Sequence, residues 1–174
     1  MKKKMADAKQ MIPFIKKWEG GYVNDPDDKG GCTMMGVTIK TYRKYFGKDK
    51  TCEDLKNISE EEWLTIFKDG YWNPWKADEI KNQSIAQLCV DMGWGSGPKT
   101  AIKKVQATLG LKADGIVGPK TLGALNALPA SGVFRKLWVM RYNWFHEIAK
   151  SGNNKKFLRG WLNRLNDIKF KFTI

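Results

Sequence analysis

The spacing of apolar residues constrains the fold most, because it follows the 3.6-residue repeat of an α-helix along most of the chain. In the first such segment, apolar residues stand at i, i+3, i+4 and i+7: Met11, Phe14, Ile15 and Trp18. The same pattern and its capping residues predict helices over 5–19, 38–46, from Ser59 onward, and over 84–92, 99–109, 119–128, 132–149 and 155–170. Strand-like alternation is scarce. The sequence therefore predicts a mainly α fold, with a loop or small hairpin over residues 22–37 after the first helix.

A glycine-rich stretch near the middle of the chain gives the clearest candidate boundary. Residues 93–98 read Gly-Trp-Gly-Ser-Gly-Pro, which is typical of a turn, and Pro98 can open the helix that follows. We therefore divide the chain into a region 1–92 and a helical region 93–174. Because the turn is short, we expect the two regions to pack together.

The charge balance predicts a polyanionic partner. The formal net charge is +13 and the sequence pI is about 9.6, which suits nucleic acid, anionic lipid or cell-wall carboxylates. No nucleic-acid-binding motif is recognisable, so we expect no nucleic-acid partner. No apolar run approaches the length of a membrane span. The basic residues 2–4 are followed by polar residues rather than the apolar core of a signal peptide. We therefore expect synthesis in the cytoplasm, with any target outside it reached by another route.

The cysteine and histidine content limits the kinds of catalytic or metal site that the chain can form. Cys32, Cys52 and Cys89 are odd in number, widely spaced and without a Cys-x-x-Cys pair, which favours free thiols in a reducing compartment, with one disulfide as the alternative. His146 is the only histidine, so a zinc site built from several imidazoles is excluded. We expect no metal and no cofactor, and carboxylate chemistry remains the main candidate.

Acidic residues cluster directly after the first predicted helix. Glu19 ends that helix before a glycine pair, Asp25 and Asp28 follow in a turn-rich stretch, and Thr33 closes it. Two carboxylates facing each other across a cleft are the minimal machinery for cutting a glycosidic bond. The alternative is an exposed glutamate followed by an ordinary solvated turn, and composition alone favours that alternative.

Glu19 has two features that suit a general acid, which must hold its proton near neutral pH. The negative end of the helix dipole disfavours a carboxylate at that position. The neighbours Trp18 and Tyr22 can supply an apolar wall that removes water from it. Asp28 would then stay ionised as base or electrostatic stabiliser, and Thr33 could hold a water molecule or orient that carboxylate.

The block 19–26, together with Asp28, Gly30-Gly31, Thr33 and 36–38, resembles the glycoside hydrolase family 108 lysozymes, which are N-acetylmuramidases of phages and bacteria. This resemblance implies a lysozyme-like helical fold over 1–92 and Glu19 as the catalytic acid. It also implies that Asp28 and Thr33 complete a Glu-Asp-Thr arrangement. Asp25 stays open as the alternative second carboxylate.

The second half resembles the predicted peptidoglycan-binding domain that accompanies this family. The resemblance is carried by Asp91, Gly97-Pro98, Val105-Gln106, 109–111, 114–119, Thr121-Leu122, Arg141-Tyr142 and 160–164. It implies that peptidoglycan glycan strands are the partner. Asp91 and Asp25 are therefore counted among the expected substrate-binding residues.

Aromatic residues supply the remaining candidates for substrate contact. Sugar rings present C–H faces that pack on aromatic rings, so Tyr22, Trp72, Trp75 and Trp94 are candidate platforms for a glycan. Core packing is an equally open alternative for the three tryptophans, which are flanked by turn residues.

The leading hypothesis is a muramidase that cleaves the β-1,4 bond between N-acetylmuramic acid and N-acetylglucosamine. The alternative is a non-catalytic cell-wall-binding or secretion-associated protein that uses the same cleft to hold glycan. Retention and inversion of the anomeric configuration both stay open, because they depend on whether the carboxyl groups are ~5 Å or ~6.5–9.5 Å apart.

Overall fold

The computed structural model describes residues 5–24 and 31–172 of the 174-residue chain. Helices dominate, since helical turns of all types make up 69% of the described residues and the strands form one small sheet. The predicted mainly α fold is therefore confirmed. The α-helices are α1 (Ile12–Glu19), α2 (Ile39–Phe46), α3 (Cys52–Lys56), α4 (Glu60–Phe67), α5 (Gln83–Ser96), α6 (Pro98–Thr108), α7 (Pro119–Leu125), α8 (Ala130–Ala149) and α9 (Leu158–Asp167). No helix among the described residues is long and apolar enough to cross a membrane.

A three-stranded antiparallel sheet follows α1. Its strands are β1 (Tyr22–Val23), β2 (Thr33–Met34) and β3 (Val37–Thr38), in the order β1-β2-β3. The tight turn between β2 and β3 needs positive φ at both central residues, and Met35 and Gly36 have φ of 46° and 76°. Met35 adopts this unfavourable backbone with its side chain buried, and its carbonyl accepts a hydrogen bond from Trp63 Nε1 at 3.2 Å.

The chain divides into two compact units, Ala8–Asp69 and Met1–Asp7 with Gly70–Ile174. In the first unit, three short helices begin at capped residues. The Thr38 side chain accepts from the amide of Thr41, and Thr51 and Ser59 each form a reciprocal capping box with the residue three positions later. The fully buried large side chains of this unit are Met11, Ile15, Tyr42, Leu55, Trp63 and Phe67.

The second unit is built on α5 to α9. Asn82 caps α5 by accepting from the amides of Ser84 and Ile85. The fully buried large side chains of this unit include Trp72, Trp75, Ile80, Ile85, Leu88 and Met92.

The glycine-rich stretch 93–98 is not the turn that its composition predicts, because α5 continues through it to Ser96. Gly93 is instead required for packing: a Cβ there would lie 3.1 Å from Trp75 Nε1 and 3.4 Å from Pro98 Cα. The chain turns only at Gly97, whose φ is 79°. The predicted division at 92/93 therefore falls inside a continuous helix, whereas the compact units divide after Asp69.

The prediction of three free thiols is wrong. Cys32 and Cys52 form a disulfide, and only Cys89 is free, buried within α5. Cys32 directly precedes β2 and Cys52 begins α3, and the fold brings their Cα atoms to 5.9 Å across a sequence separation of 20. The spacing of cysteines along a chain does not reveal such a tertiary approach.

Candidate active site

Glu19 is the last residue of α1, and the helix is anchored so that its carboxylate is held at the helix end. Ile12, Phe14 and Ile15 bury one face of α1, while Glu19 itself is half-buried. Gly20 then leaves the helix with φ of 71°. A Cβ at Gly20 would meet no described atom within 4 Å. Among the described residues, nothing therefore covers the backbone that follows Glu19.

The side chain before Glu19 belongs to a small aromatic cluster. The ring of Trp18 is half-buried, and its centroid lies 6.5 Å from that of Phe14. The Lys17 ammonium lies 5.5 Å from the Trp18 ring centroid. The apolar ring of Trp18 and the ammonium of Lys17 therefore both lie close to the end of α1.

The sheet ties Thr33 to the segment that leaves Glu19. Val23, four residues after the glutamate, pairs with Thr33 on β2, and Tyr22 pairs with Met34. The half-buried Thr33 also directly follows Cys32, which is fixed to α3 by the disulfide. The fold therefore restrains Thr33 through both the sheet and the covalent link.

Tyr22 remains a candidate platform. Its ring is half-buried, and the Lys56 ammonium lies 5.8 Å from its centroid. Glu19, Tyr22 and Thr33 all belong to the unit Ala8–Asp69. Asp25 and Asp28 lie in residues 25–30, outside the described part of the chain, so their roles stay predictions.

The structure corrects the prediction that Trp72 and Trp75 are aromatic platforms for a glycan. Both are fully buried, and Trp72 Nε1 donates to Asp78 Oδ1 at 2.8 Å. A π-helical turn over Lys68–Trp72 and a 3-10 turn over Asn73–Trp75 turn both indoles into the core of their unit. Neither ring has a face open to a glycan.

Trp94 keeps the exposure that a platform needs. It is half-buried near the end of α5, and its ring centroid lies 4.5 Å from that of Tyr71. Tyr71 was not singled out from the sequence, although it stands beside Trp72 in an aromatic-rich stretch. The pair offers adjacent aromatic surfaces in the second unit.

The structure also corrects the prediction that Asp91 contacts substrate, because its carboxylate pairs with another side chain of the protein. It is 7% exposed, and its Oδ1 accepts hydrogen bonds from Arg164 Nε at 2.9 Å and Nη2 at 2.7 Å. This ion pair joins α5 to α9. The structure therefore gives Asp91 a packing partner in place of the predicted substrate contact.

Arg141 lies beside that ion pair, and the sequence did not lead us to expect a buried charge there. It is 3% exposed, its Nη1 donates to Ser96 Oγ at 3.1 Å, and its guanidinium lies 4.0 Å from the Phe145 ring centroid. Burial lowers the pKa of Arg141 to about 10, with Asp91 opposing and Arg164 adding to that effect, so it stays charged at neutral pH. Its place on an apolar stripe with Leu137 and Phe145 was the available sequence signal.

No group of three histidine, cysteine, aspartate or glutamate side chains is close enough to hold a metal ion within 5–24 and 31–172.

Two family models match the chain in succession. The model described as glycosyl hydrolase 108 matches residues 12–97, and the model described as a predicted peptidoglycan domain matches residues 100–166. The chain belongs to the glycosyl hydrolase 108 family. The resemblance found from the block around Glu19 is thereby confirmed, and so is the mainly α, lysozyme-like fold.

One solved structure similar to this glycosyl hydrolase 108 member is that of SagA from Brucella abortus. The two chains are 29% identical, with a TM-score of 0.72, over 92% of this chain and 90% of that one. No curated protein sequence matches the chain. At the level of the family, the protein is a glycoside hydrolase that acts on peptidoglycan.

Proposed function

We propose that this glycosyl hydrolase 108 member is an N-acetylmuramidase, which hydrolyses the β-1,4 bond between N-acetylmuramic acid and N-acetylglucosamine, with Glu19 as general acid. The observation that carries the proposal is the placement of Glu19, half-buried at the C-terminus of α1, with no described atom within 4 Å of a Cβ built on the next residue.

In the proposed reaction, Glu19 gives its proton to the glycosidic oxygen as the bond from that oxygen to the anomeric carbon breaks. A water molecule supplies the hydroxyl group that ends on the anomeric carbon, and its remaining proton passes to the pair of carboxyl groups, which restores the proton that Glu19 gave up. A second carboxylate stabilises the positive charge that develops on the sugar or activates the water. Asp28 is the proposed second carboxylate and Asp25 its competitor.

Thr33 is the proposed partner of that second carboxylate. Its pairing with Val23 and its covalent neighbour Cys32 restrain it, which suits a group that must orient a water molecule or a carboxylate. A hydroxyl can donate one hydrogen bond and accept others, so it can do either.

The disulfide supports a site of action outside the cytoplasm. Disulfides persist in oxidising compartments and are rare in the reducing cytosol. The Cys32–Cys52 link lies next to the proposed site. We propose that the protein acts on the wall after it has left the cytoplasm.

The first prediction concerns Glu19→Gln, which keeps the shape of the side chain and removes its acidic proton. We expect kcat on purified peptidoglycan to fall by about 10²–10⁴-fold, the usual contribution of general acid catalysis. Muropeptides released by the wild type, reduced with borohydride, should carry muramic acid at the reduced end. Mass spectrometry measures both. The exposed Glu61 on α4, changed to Gln, is the matched control and should keep wild-type kcat.

The same assay separates Asp28→Asn from Asp25→Asn, because the second carboxylate is the one whose loss lowers kcat more. Full activity of Glu19→Gln would overturn the role of Glu19. Failure of the wild type to release any fragment would favour the non-catalytic wall-binding alternative.

A further inference from the structure

The second unit carries a basic groove between α6 and α8. Two adjoining depressions share Lys104: one of about 430 Å³ is lined by residues of both helices, and one of about 380 Å³ runs along α6. We call these two depressions the α6–α8 groove. It lies within Gly70–Ile174 and contains none of the residues assigned to the reaction.

Four lysines line the α6–α8 groove: Lys99, Lys103, Lys104 and Lys136. Glu147 is the single carboxylate among the lining residues, and it is already hydrogen-bonded to Lys150 Nζ at 2.7 Å. That bond and the charge of Lys150 hold the pKa of Glu147 below its usual range. The lysines are therefore left with surplus positive charge at neutral pH.

The stems of two of these lysines are held in place by a neighbouring loop. Gly115 has φ of 80°, and a Cβ there would lie 2.9 Å from Lys99 Cγ and 3.3 Å from Lys103 Cγ. The loop itself is organised by the buried Gln106, whose Oε1 accepts from the Gly115 amide at 2.9 Å. Lysines whose stems are packed lose less side-chain freedom when an anion binds.

The α6–α8 groove also has an apolar part, which we call its floor. It consists of Val139, which is 44% exposed, Met140 and the half-buried Trp144. The Lys104 ammonium lies 5.5 Å from the Trp144 ring centroid. The groove thus combines cations with an aromatic and aliphatic surface.

We propose that the α6–α8 groove binds the peptide stems of peptidoglycan, with its lysines pairing with stem carboxylates and Trp144 contacting stem methyl groups. This inference rests on the proposed function, since it names a second contact with the same wall polymer. A stem combines carboxylates with the methyl side chains of alanine, so it matches both the charge and the floor of the groove. A phosphate polymer or nucleic acid would match the charge but leave Val139 and Met140 without apolar contact.

The test measures binding of the full chain, in the Glu19→Gln background, to purified sacculi free of teichoic acid. The groove variant carries Lys99→Gln, Lys103→Gln, Lys104→Gln and Lys136→Gln. The matched control variant carries Lys81→Gln, Lys120→Gln, Lys155→Gln and Lys171→Gln, four exposed lysines of the same unit that do not line the groove. Each variant loses four positive charges, and circular dichroism verifies that both are folded.

At low salt, we expect the groove variant to bind about tenfold more weakly than the parent, and the control variant to stay within about twofold. Sacculi whose carboxylates have been converted to amides should bind the parent about as weakly as untreated sacculi bind the groove variant. Trp144→Leu, with all lysines present, should also weaken binding.

Equal losses in the groove and control variants would overturn the proposal, since only overall charge would then matter. Undiminished binding of the parent to amidated sacculi would also overturn it. So would stronger competition by duplex DNA or by anionic lipid vesicles than by isolated stem peptides. Release of muropeptides by the wild type tests the proposed function separately, so each inference can fail alone.

Discussion

At the scale of the residue, three charged side chains meet inside the second unit. Asp91, Arg141 and Arg164 lie close together, and Asp91 is paired with Arg164 at 2.7 Å. Removing ions from water costs several kcal/mol per ion, so such a group is stable only when its partners are complete. The two arginines outnumber the one carboxylate, and Arg141 compensates partly through the faces of Trp144 and Phe145.

Asp91→Asn is expected to lower the free energy of unfolding by about 3 kcal/mol, because it removes the buried carboxylate charge that pairs with the Arg164 guanidinium. Urea unfolding measures this loss. The double variant Asp91→Leu with Arg164→Met should recover part of the stability, since it removes both charges. Stability equal to the wild type, together with a raised KM for peptidoglycan fragments, would return Asp91 to substrate binding.

At the scale of the element, the disulfide fastens the start of β2 to the start of α3. Replacing Cys32 and Cys52 by serine is expected to lower the free energy of unfolding by about 3 kcal/mol, as for other loops of this length. It should also lower kcat, because Thr33 loses one of its two restraints. Treating the wild type with a thiol reductant should give the same change and leave the double variant unaltered. A stable, fully active double variant would contradict this role of the link.

The capping box at the start of α4 makes the free energy of unfolding depend on pH. The Ser59 amide donates to Glu62 and holds the pKa of that carboxyl below its usual range, against the opposing effect of burial. Tyr42 also donates to Glu62, at 3.1 Å. Because the folded carboxyl binds its proton more weakly than the unfolded one, this stability is present above a pH of about 4.3 and is lost as pH falls through the lower folded pKa.

Glu62→Gln should therefore flatten the fall in unfolding free energy between about pH 5 and pH 2. Urea titrations at several pH values measure the slope. Glu61→Gln, an exposed neighbour on the same helix, should keep the wild-type slope. Identical slopes for Glu62→Gln and wild type would show that the capping box does not set the acid sensitivity.

At the scale of the whole molecule, local signals were sufficient for the helices but not for their environment. Apolar spacing and capping residues are properties of neighbouring positions, so α2, α6 and α8 lie close to their predicted bounds, whereas α1 begins seven residues later than predicted. The pairing of Cys32 with Cys52 and the packing of Trp75 against Gly93 join residues far apart in the chain. No local pattern contains that information.

The site shows the same division. The position of Glu19 at the end of α1 could be predicted because the helix and the glycine pair that ends it are adjacent in sequence. Asp91 was misjudged because its partner Arg164 is 73 residues away. Likewise, the compact units divide after Asp69, while the matches to the family models divide between residues 97 and 100. Sequence families and packing therefore partition this chain differently.

The buried thiol of Cys89 can report the opening of the unit that contains it. Its side chain is fully enclosed within α5, and burial raises the pKa of the thiol, so the native protein presents almost no reactive thiolate. Cys32 and Cys52 lie in the other unit and are silent because they are oxidised. A thiol reagent can label the unreduced chain only when the unit that contains α5 opens. At reagent concentrations where labelling is faster than reclosing, the labelling rate is therefore the opening rate of that unit.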